Sequence, residues 1–555
     1  MRSLIGLASC LIPLAVAAPQ KRTLAPTVEI EYATVVGSSL AGIDSFKGVP
    51  YAQPPTGSLR LKPPQPITSS LGTVIATSEP QACPQMYTSL DTSSLSETAI
   101  TLLTERQFVQ DITVSGEDCL TVNVQRPSSA TSSSLLPVVF WIFGGGFEFG
   151  STQTYDASEF ISTSVSQGKD VIYVSVNYRL GGFGFLGGSE VKADGSSNLG
   201  LLDQRLGLEW VADNFAKFGG DPTKVTIWGE SAGSISVFDQ MALYGGNITY
   251  KGKPLFRGGI MDSGSLTPAD PVDCPKAQAI YDTVVSVAGC STASDILACL
   301  RTVDYTTFLR ATQSVPAIFD YESIALSYLP RPDRVVLVDS PEVIAENGAF
   351  ASVPFIVGDQ EDEGTLFSLS QSNLSTTADV VDYLNTVFFV DATEEQACLP
   401  EAPNARISLV RLKGRSDHAT QHTAKGILGD LTFTLTRRVF LNISAQSHPS
   451  VPSWSYLASY DYGTAVLGTF HASDILTAYG ITPGVPSSTI QAYYISFINT
   501  LDPNNGTSDL FPTWPEWAEE KQLLNFQTLI NELITDDFRS ESYDLISTNA
   551  AAFHV

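Results

Sequence analysis

The chain has 555 residues, of which 43% are hydrophobic and 16% are charged, a composition typical of a globular protein with a large core. Its formal net charge of -27 disfavours nucleic acid and anionic membrane surfaces as partners, since both require a basic face. This charge suits a soluble protein that acts on a neutral substrate.

The amino terminus has the pattern of a secretory signal. Arg2 precedes an apolar stretch that is too short for a membrane helix, and Ala15-Val16-Ala17 offers a small-residue cleavage site. Lys21-Arg22 resembles a dibasic processing site, so we expect residues 1–22 to be a signal peptide and short pro-segment. We expect residues 23–555 to form one domain of an extracellular protein without an integral membrane segment.

Cysteine usage agrees with export. Seven cysteines are present, and six remain once Cys10 leaves with the signal, an even number that favours disulfide bonds. Four asparagines lie in sequons for glycosylation, which belongs to the same compartment. These are Asn247, Asn373, Asn442 and Asn505.

The first elements after the leader are short. Residues 27–55 alternate apolar and polar side chains and end in a proline-rich turn, which predicts an antiparallel hairpin. Residues 95–108, between Cys83 and Cys119, have apolar side chains at helical spacing. This segment is either a helix packed on the core or a mobile amphipathic lid, and the spacing does not decide between them.

The remainder alternates between predicted strands and helices. Nearly continuous apolar runs predict buried strands, and residues 198–218 have a helical pattern. This alternation predicts a large, mostly parallel sheet with helices on both faces, interrupted by helical and loop insertions at 270–350 and 365–450. The predicted strands are 137–143, 171–177, 225–228, 255–261, 353–357 and 453–460.

One of these strands leads into Gly229-Glu230-Ser231-Ala232-Gly233. Strand, tight turn and helix form the context of a Gly-x-Ser-x-Gly nucleophile elbow. A Cβ atom two residues to either side of the serine would clash with the neighbouring strand and helix, which explains the glycines. The pattern predicts Ser231 as a nucleophile, and an ordinary glycine-rich connection is the alternative.

A serine nucleophile needs a histidine base and a carboxylate that orients it. All five histidines follow Ser231, so chain order does not choose among them. His471 lies in a turn beyond a predicted strand, and this context favours it as the base. The acid is expected after the strand 353–357, where the residues do not separate four carboxylates. These are Asp359, Glu361, Asp362 and Glu363.

An oxyanion hole requires two or three backbone N–H donors. Ala232, directly after the nucleophile, is predicted to supply one of them. Gly144–Gly146 at the end of a buried strand are candidates for the others. A glycine turn without a catalytic role is the alternative.

Further motifs occur in a fixed order along the chain. They are Glu117-Asp118-Cys119-Leu120, Trp141 to Glu148, Asp221 to Thr226, Gly229 to Gly233, Ser327 to Pro332, Asp362 to Thr365 and Gly468 to His471. In this combination the chain resembles the type-B carboxylesterase/lipase family, which includes the cholinesterases. Within it the chain most resembles secreted fungal lipases of the Candida rugosa and Geotrichum type. The match covers nearly the whole mature chain.

The resemblance implies an α/β-hydrolase fold with a lid tethered by a disulfide. By resemblance, Cys83 pairs with Cys119 and Cys290 pairs with Cys299. Cys274 and Cys398 are left over, with no strong reason to join them to each other.

The resemblance also implies a role for each residue of the site. It makes Ser231 the nucleophile, Glu363 the triad acid and His471 the base. The oxyanion donors that it implies are Gly145, Gly146 and Ala232. The aromatic residues that it implies for the acyl site are Phe147 and Phe367.

The implied reaction is hydrolysis of carboxylic esters through an acyl-enzyme, without a metal or organic cofactor. The first expectation is a lipase that acts on long-chain acyl esters. It would act at a lipid–water interface, as a monomer or weak homodimer. A steryl esterase or a shorter-chain carboxylesterase is the alternative, because the lid sequence differs from those of the relatives. An inactive binding or adhesion protein is a remote alternative, since such members usually lose the serine or the histidine.

Overall fold

The computed structural model describes residues 25–87, 114–388 and 426–554, apart from positions 372, 375, 461 and 465, together with residues 97, 100 and 101. The predicted signal segment 1–22, most of the predicted helix at 95–108 and Cys398 lie outside the described residues.

Strands are numbered in chain order. They are β1 (Thr27–Ile30), β2 (Ala33–Val36), β3 (Ser38–Leu40), β4 (Ile43–Pro50), β5 (Gly72–Ile75), β6 (Thr121–Pro127), β7 (Leu136–Ile142), β8 (Ile172–Val176), β9 (Gly220–Glu230), β10 (Thr249–Tyr250), β11 (Lys253–Pro254), β12 (Gly258–Asp262), β13 (Phe355–Gln360), β14 (Ser453–Ser459), β15 (Gln522–Gln527) and β16 (Glu532–Thr535).

An 11-stranded sheet organises the molecule, in the order β16-β15-β14-β13-β12-β9-β7-β8-β6-β4-β3. All pairs from β15 through β8 are parallel, and the pairs at both edges are antiparallel. The prediction of a large, mostly parallel sheet is therefore confirmed. Parallel strands place their carboxyl ends at one edge, and the loops that follow β7, β9, β13 and β14 meet there.

The predicted amino-terminal hairpin is present as β1 and β2, and β5 joins it to form a separate three-stranded sheet. β3 and β4 form a second hairpin at the edge of the main sheet. The alternating sequence pattern did not separate these two hairpins, because a tight turn joins each strand to the next.

Helices cover both faces of the sheet, and among the described residues none is long and apolar enough to cross a membrane. The α-helices are Ser158–Ser166, Gly181–Gly184, Ser189–Asp194, Leu199–Phe218, Ala232–Gly246, Pro275–Val287, Ile296–Thr302, Tyr305–Thr312, Pro341–Glu346, Gly364–Phe367, Thr377–Tyr383, Leu435–Ser447, Asp474–Ala478, Val485–Thr500, Trp517–Glu520 and Ser540–Thr548. π-Helical turns cover Leu384–Phe388 and Asp430–Thr434, and 3-10 turns cover Gly57–Leu59, Thr152–Thr154, Leu369–Gln371 and Ala550–Ala552.

Aromatic side chains fill the core beside the central strands. The rings of Trp141 on β7, Trp228 on β9 and Tyr479 contact one another at centroid distances of 4.8, 5.3 and 5.4 Å. Such contacts fix the strand that carries the elbow against its neighbour.

Both predicted disulfides are formed, Cys83 with Cys119 and Cys290 with Cys299. Cys274 is buried without a disulfide to any described cysteine, and its sulfur accepts a hydrogen bond from the N–H of Ala277 at the start of a helix.

Candidate active site

Ser231 lies at the turn between β9 and the helix Ala232–Gly246. Its backbone has φ +55°, a left-handed conformation that is strained for a serine and costs about 1–3 kcal/mol. Two hydrogen bonds hold the turn, from the N–H of Ser231 to the carbonyl of Asp262 and from the N–H of Ile235 to the carbonyl of Ser231, both 2.9 Å. The side chain is thereby fixed at the edge of the sheet.

The glycines of the elbow are required by their surroundings. A Cβ atom on Gly229 would lie 2.2 Å from the carbonyl oxygen of Gly233, and one on Gly233 would lie 2.0 Å from that of Ile142. The clash predicted from the motif is thus present on both sides of Ser231, once with the helix and once with β7.

His471 and Glu363 meet at this edge from two different loops. Nδ1 of His471, in the loop after β14, lies 2.5 Å from Oε2 of Glu363, in the loop after β13. The second carboxylate oxygen of Glu363 accepts a hydrogen bond of 2.7 Å from the N–H of Gln360. Both side chains are almost fully buried. This geometry fixes the ring of His471 and directs its other nitrogen away from the acid.

The other three carboxylates of the acidic loop have different neighbours. Asp359 is buried against Arg437, with Nε 2.8 Å from Oδ2, and Glu361 is exposed. Asp362 accepts a hydrogen bond of 3.0 Å from the N–H of Thr469, and its own N–H donates to the carbonyl of that residue. Asp362 thus ties the loop of Glu363 to the loop of His471, and of these four carboxylates only Glu363 hydrogen-bonds the imidazole.

Nε2 of His471 faces Glu230, the residue before the serine. It lies 3.2 Å from Oε1 of Glu230, yet neither atom has a hydrogen-bond partner among the described residues. Burial, and then the nearby charges of Asp474 and Glu363, raise the pKa of Glu230 well above its usual range. These effects favour the neutral form of Glu230 over its anion.

Two further buried acids complete a carboxyl cluster, which consists of Glu230, Asp262, Glu363 and Asp474. Burial raises the pKa of Asp262 to about 6, against the hydrogen bonds that it accepts from two tyrosines and Trp228. Burial and then the charge of Asp262 raise the pKa of Asp474 well above its usual range. Burial thus disfavours the anionic forms of Glu230, Asp262 and Asp474.

The glycine run lies beside the serine. A Cβ atom on Gly144 would lie 2.8 Å from Cβ of Ser231, and Gly145 and Gly146 have φ of +103° and +62°. The carbonyl of Gly145 accepts hydrogen bonds from the N–H groups of Glu148 and Phe149, both 3.1 Å, which close the loop into a tight turn. Two of the three predicted oxyanion donors, Gly146 and Ala232, line the same cavity as Ser231.

A mostly apolar cavity of about 760 Å³, part of it open to solvent, begins at Ser231. The predicted acyl-site residues Phe147 and Phe367 both line it. The rings of Phe367 and Phe433 contact the imidazole of His471 at centroid distances of 4.8 and 4.6 Å. The other walls come from distant segments, namely residues 235, 266–268, 318–329, 388, 431–436 and 553.

Glu148 connects the glycine loop to one of these walls. Its buried carboxylate accepts a hydrogen bond of 2.7 Å from the N–H of Ile318, whose side chain packs on Gly146. Burial raises the pKa of Glu148 to about 8, and hydrogen bonds from the backbone of Ile318, Ser327 and Tyr328 oppose that rise. The motif containing Glu148 was visible in the sequence, but its partners lie 170 residues or more away.

The sequons differ in accessibility. Asn247, Asn373 and Asn505 are exposed. Asn442 is half-buried in a helix, where its amide donates to the carbonyl of Arg438 and the hydroxyl of Tyr543.

Comparison with known proteins places these features in one family. The sequence profile described as "Carboxylesterase family" matches residues 24–545. "Secreted lipase 1" of Botryotinia fuckeliana (strain B05.10) is 56% identical over 545 residues, which cover 97% of this chain and 95% of that protein. "Secreted triacylglycerol lipase LIP1" of Gibberella zeae is 52% identical, over 98% of this chain and 94% of that protein.

Among solved structures, the Aspergillus niger protein EstA superposes with a TM-score of 0.79 at 27% identity, covering 96% of this chain and 99% of that one. The predicted resemblance to the family is confirmed by these matches. The predicted export also agrees with the word "secreted" in the names of both sequence relatives.

Proposed function

The chain belongs to the carboxylesterase family and is a carboxylic ester hydrolase, and from this premise we propose that it is a secreted lipase that cleaves long-chain acyl esters such as triacylglycerols. The mostly apolar cavity of about 760 Å³ that begins at Ser231 carries this proposal. An apolar lining of this kind suits a hydrocarbon chain, because each buried methylene contributes about 0.8 kcal/mol.

In the proposed acylation, Nε2 of His471 takes the proton of Ser231 as the serine oxygen attacks the acyl carbonyl. Glu363 keeps the ring oriented through Nδ1 and stabilises the imidazolium. The N–H groups of Gly145, Gly146 and Ala232 bind the negative oxygen of the tetrahedral intermediate. His471 then donates its proton to the leaving alcohol, and the acyl group remains on Ser231.

Deacylation repeats these steps with water. His471 takes a proton from water, the hydroxide attacks the acyl-enzyme, and the acid product leaves as the proton returns to Ser231. Since the base must be a neutral imidazole, activity should fall at acid pH.

Export and processing belong to the same proposal. Two disulfides and the names of two relatives support a secreted enzyme. From the pattern of the amino-terminal sequence, we propose that residues 1–22 are removed and that residues 23–555 fold as one domain. The exposed Asn247, Asn373 and Asn505 are the proposed glycosylation sites, ahead of half-buried Asn442. We also propose action at a lipid–water interface by a monomer or weak homodimer.

Ser231→Ala tests the nucleophile. We expect kcat on p-nitrophenyl esters to fall by about 10⁵–10⁶ and labelling by diisopropyl fluorophosphate to disappear, since no oxygen remains to form the acyl-enzyme. A variant that kept near-full activity or labelling would contradict the assignment.

A substrate panel tests the lipase proposal separately. The panel consists of triacylglycerol emulsions, cholesteryl esters and short p-nitrophenyl esters. We expect kcat/KM to be highest for the long-chain triacylglycerols. A preference for cholesteryl or short esters would instead indicate a steryl esterase or a short-chain carboxylesterase.

A further inference from the structure

The carboxyl-terminal segment reaches the cavity. The helix Ser540–Thr548 and the turn Ala550–Ala552 lead to Phe553, which lines the cavity and is only 6% exposed. Ile546 of the same segment belongs with Phe553 to the apolar cluster around the cavity. One wall of the cavity is therefore supplied by residues that are far in sequence from Ser231.

The next residue, His554, is held by two carboxylates. Its Nε2 lies 2.7 Å from Oε1 of Glu342, and its Nδ1 lies 3.1 Å from Oδ1 of Asp270. Because each ring nitrogen faces a carboxylate oxygen, both hydrogen bonds form together only when the imidazole carries two N–H groups. His554 is thus suited to be an imidazolium.

Both carboxylates belong to the structure behind another cavity wall. Asp270 follows residues 266–268, which line the cavity. Glu342 is buried, accepts a hydrogen bond from the hydroxyl of Ser340, and that hydroxyl accepts one of 3.0 Å from the N–H of Ala269. The imidazole of His554 therefore joins the wall at Phe553 to the wall at 266–268.

We propose that His554 is a positioning residue for acyl-chain specificity, holding Phe553 as a wall of the cavity through its paired contacts with Asp270 and Glu342. This inference rests on the proposed function, because it assigns the cavity to the acyl chain of the ester. Without these contacts the carboxyl-terminal segment leaves the cavity wall and water enters the cavity. The bound acyl chain of the ester is then less shielded from water. Each methylene that loses its shielding lowers relative binding about fourfold, so long esters suffer more than short ones.

The electrostatics of His554 agree with this role. Burial alone would lower the pKa of His554, but its hydrogen bonds with Asp270 and Glu342, and their charges, raise that pKa to about 9. The imidazolium is therefore kept at neutral pH. A terminal ion pair with only a structural role would affect stability and leave the relative rates on long and short esters unchanged.

The test compares kcat/KM for p-nitrophenyl palmitate and p-nitrophenyl butyrate. In His554→Ala we expect the palmitate-to-butyrate ratio to fall about 15-fold, which corresponds to two unshielded methylenes. His554→Lys, which keeps a cation between the carboxylates, should restore most of the ratio. His448→Ala is the matched control, because His448 is hydrogen-bonded to Ser352 but lies outside the walls of the cavity, and its ratio should match the wild type.

Asp270→Asn is the second variant, and it leaves the amino-acid sequence of the carboxyl-terminal segment unchanged. It should lower the same ratio in the same direction, so the proposal stays testable if His554→Ala fails to fold. An unchanged or raised ratio in a folded His554→Ala or Asp270→Asn variant overturns the proposal. A wild-type protein that hydrolyses neither ester overturns the proposed function instead, which separates the two failures.

Discussion

Ser231 lies between two regions of opposite chemistry. The carboxyl cluster formed by Glu230, Asp262, Glu363 and Asp474 is almost fully buried. The cavity that Ser231 lines is bounded mostly by apolar side chains. The first region holds charge and protons in fixed positions, and the second supplies shape and shielding from water. We therefore expect changes in the cluster to alter the rate on all esters and changes in the cavity to alter the preference among esters.

The largest effect should come from Glu363→Gln. An amide can hold Nδ1 of His471 only in the wrong tautomer and cannot stabilise the imidazolium, so kcat/KM should fall about 10⁴-fold. The loss should be equal for long and short esters, because the cavity is unchanged. Glu361→Gln, which alters an exposed carboxylate two residues earlier, is the control. A loss of kcat/KM below tenfold in Glu363→Gln, or a loss confined to long esters, would contradict the expectation that the carboxyl cluster sets the rate on all esters.

Gly146→Ala should have the next largest effect, because Gly146 lines the cavity and is also a predicted oxyanion donor. Its φ is +62°, and an added Cβ would lie 2.8 Å from Cδ1 of Ile318. We expect kcat to fall about 10²-fold, the usual effect of displacing one oxyanion donor, together with a change in chain-length preference.

Gly168→Ala is the matched control for Gly146→Ala. Gly168 has a similar φ of +67°, and an added Cβ would meet nothing within 4 Å. Both substitutions carry the backbone strain of a left-handed alanine, about 1–2 kcal/mol. Equal losses of kcat in the two variants would assign the effect to strain alone.

Glu230→Gln should have a smaller effect than either. Burial, and then the charges of Asp474 and Glu363, keep the pKa of Glu230 high, so an amide closely resembles its neutral side chain. We expect kcat/KM at pH 7 to fall less than about tenfold, the factor that corresponds to 1.36 kcal/mol. A loss as large as that of Glu363→Gln would show that Glu230 works as an anion.

The smallest expected effect is a pH-dependent change in Tm that results from the contacts of His554, the residue next to Phe553 of the cavity wall. The pKa of His554 is raised from 6.5 to about 9, so its contacts stabilise the fold fully below pH 6.5 and lose that contribution as the pH rises through 9. Its facing groups are Asp270 and Glu342, and the charges of Arg331 and Lys276 also act on Asp270.

We therefore expect wild type and His554→Ala to differ in Tm by about 2–4 °C at pH 6 and to converge by pH 10. Calorimetric melting at several pH values measures this. A Tm difference that stayed constant across this range would show that the charge of His554 is not involved.

The sequence predicted local features well and distant partners poorly. The elbow and the predicted strand at 171–177 depend on neighbouring residues, and the structure places β8 at Ile172–Val176. The strands β15 and β16 were not predicted, because their short, mixed patterns resemble those of loops.

The same limit applied to the site. Context favoured His471, but the residues alone did not choose among four carboxylates. What distinguishes them is the three-dimensional placement of Arg437 beside Asp359 and of His471 beside Glu363. Resemblance supplied Glu363 where local physics did not. The raised pKa of Glu230 and the wall at Phe553 likewise depend on residues that only folding brings near.

The strand order of the sheet also bears on protein synthesis. β13 pairs between β12 and β14, and the loops after β13 and β14 carry Glu363 and His471. A ribosome that has made Ser231 has still to make most of the partners of that serine, and such long-range pairings form slowly. The growing chain therefore holds Ser231 without its proposed base until residue 471 has emerged, and we expect ester cleavage to begin only late in translation.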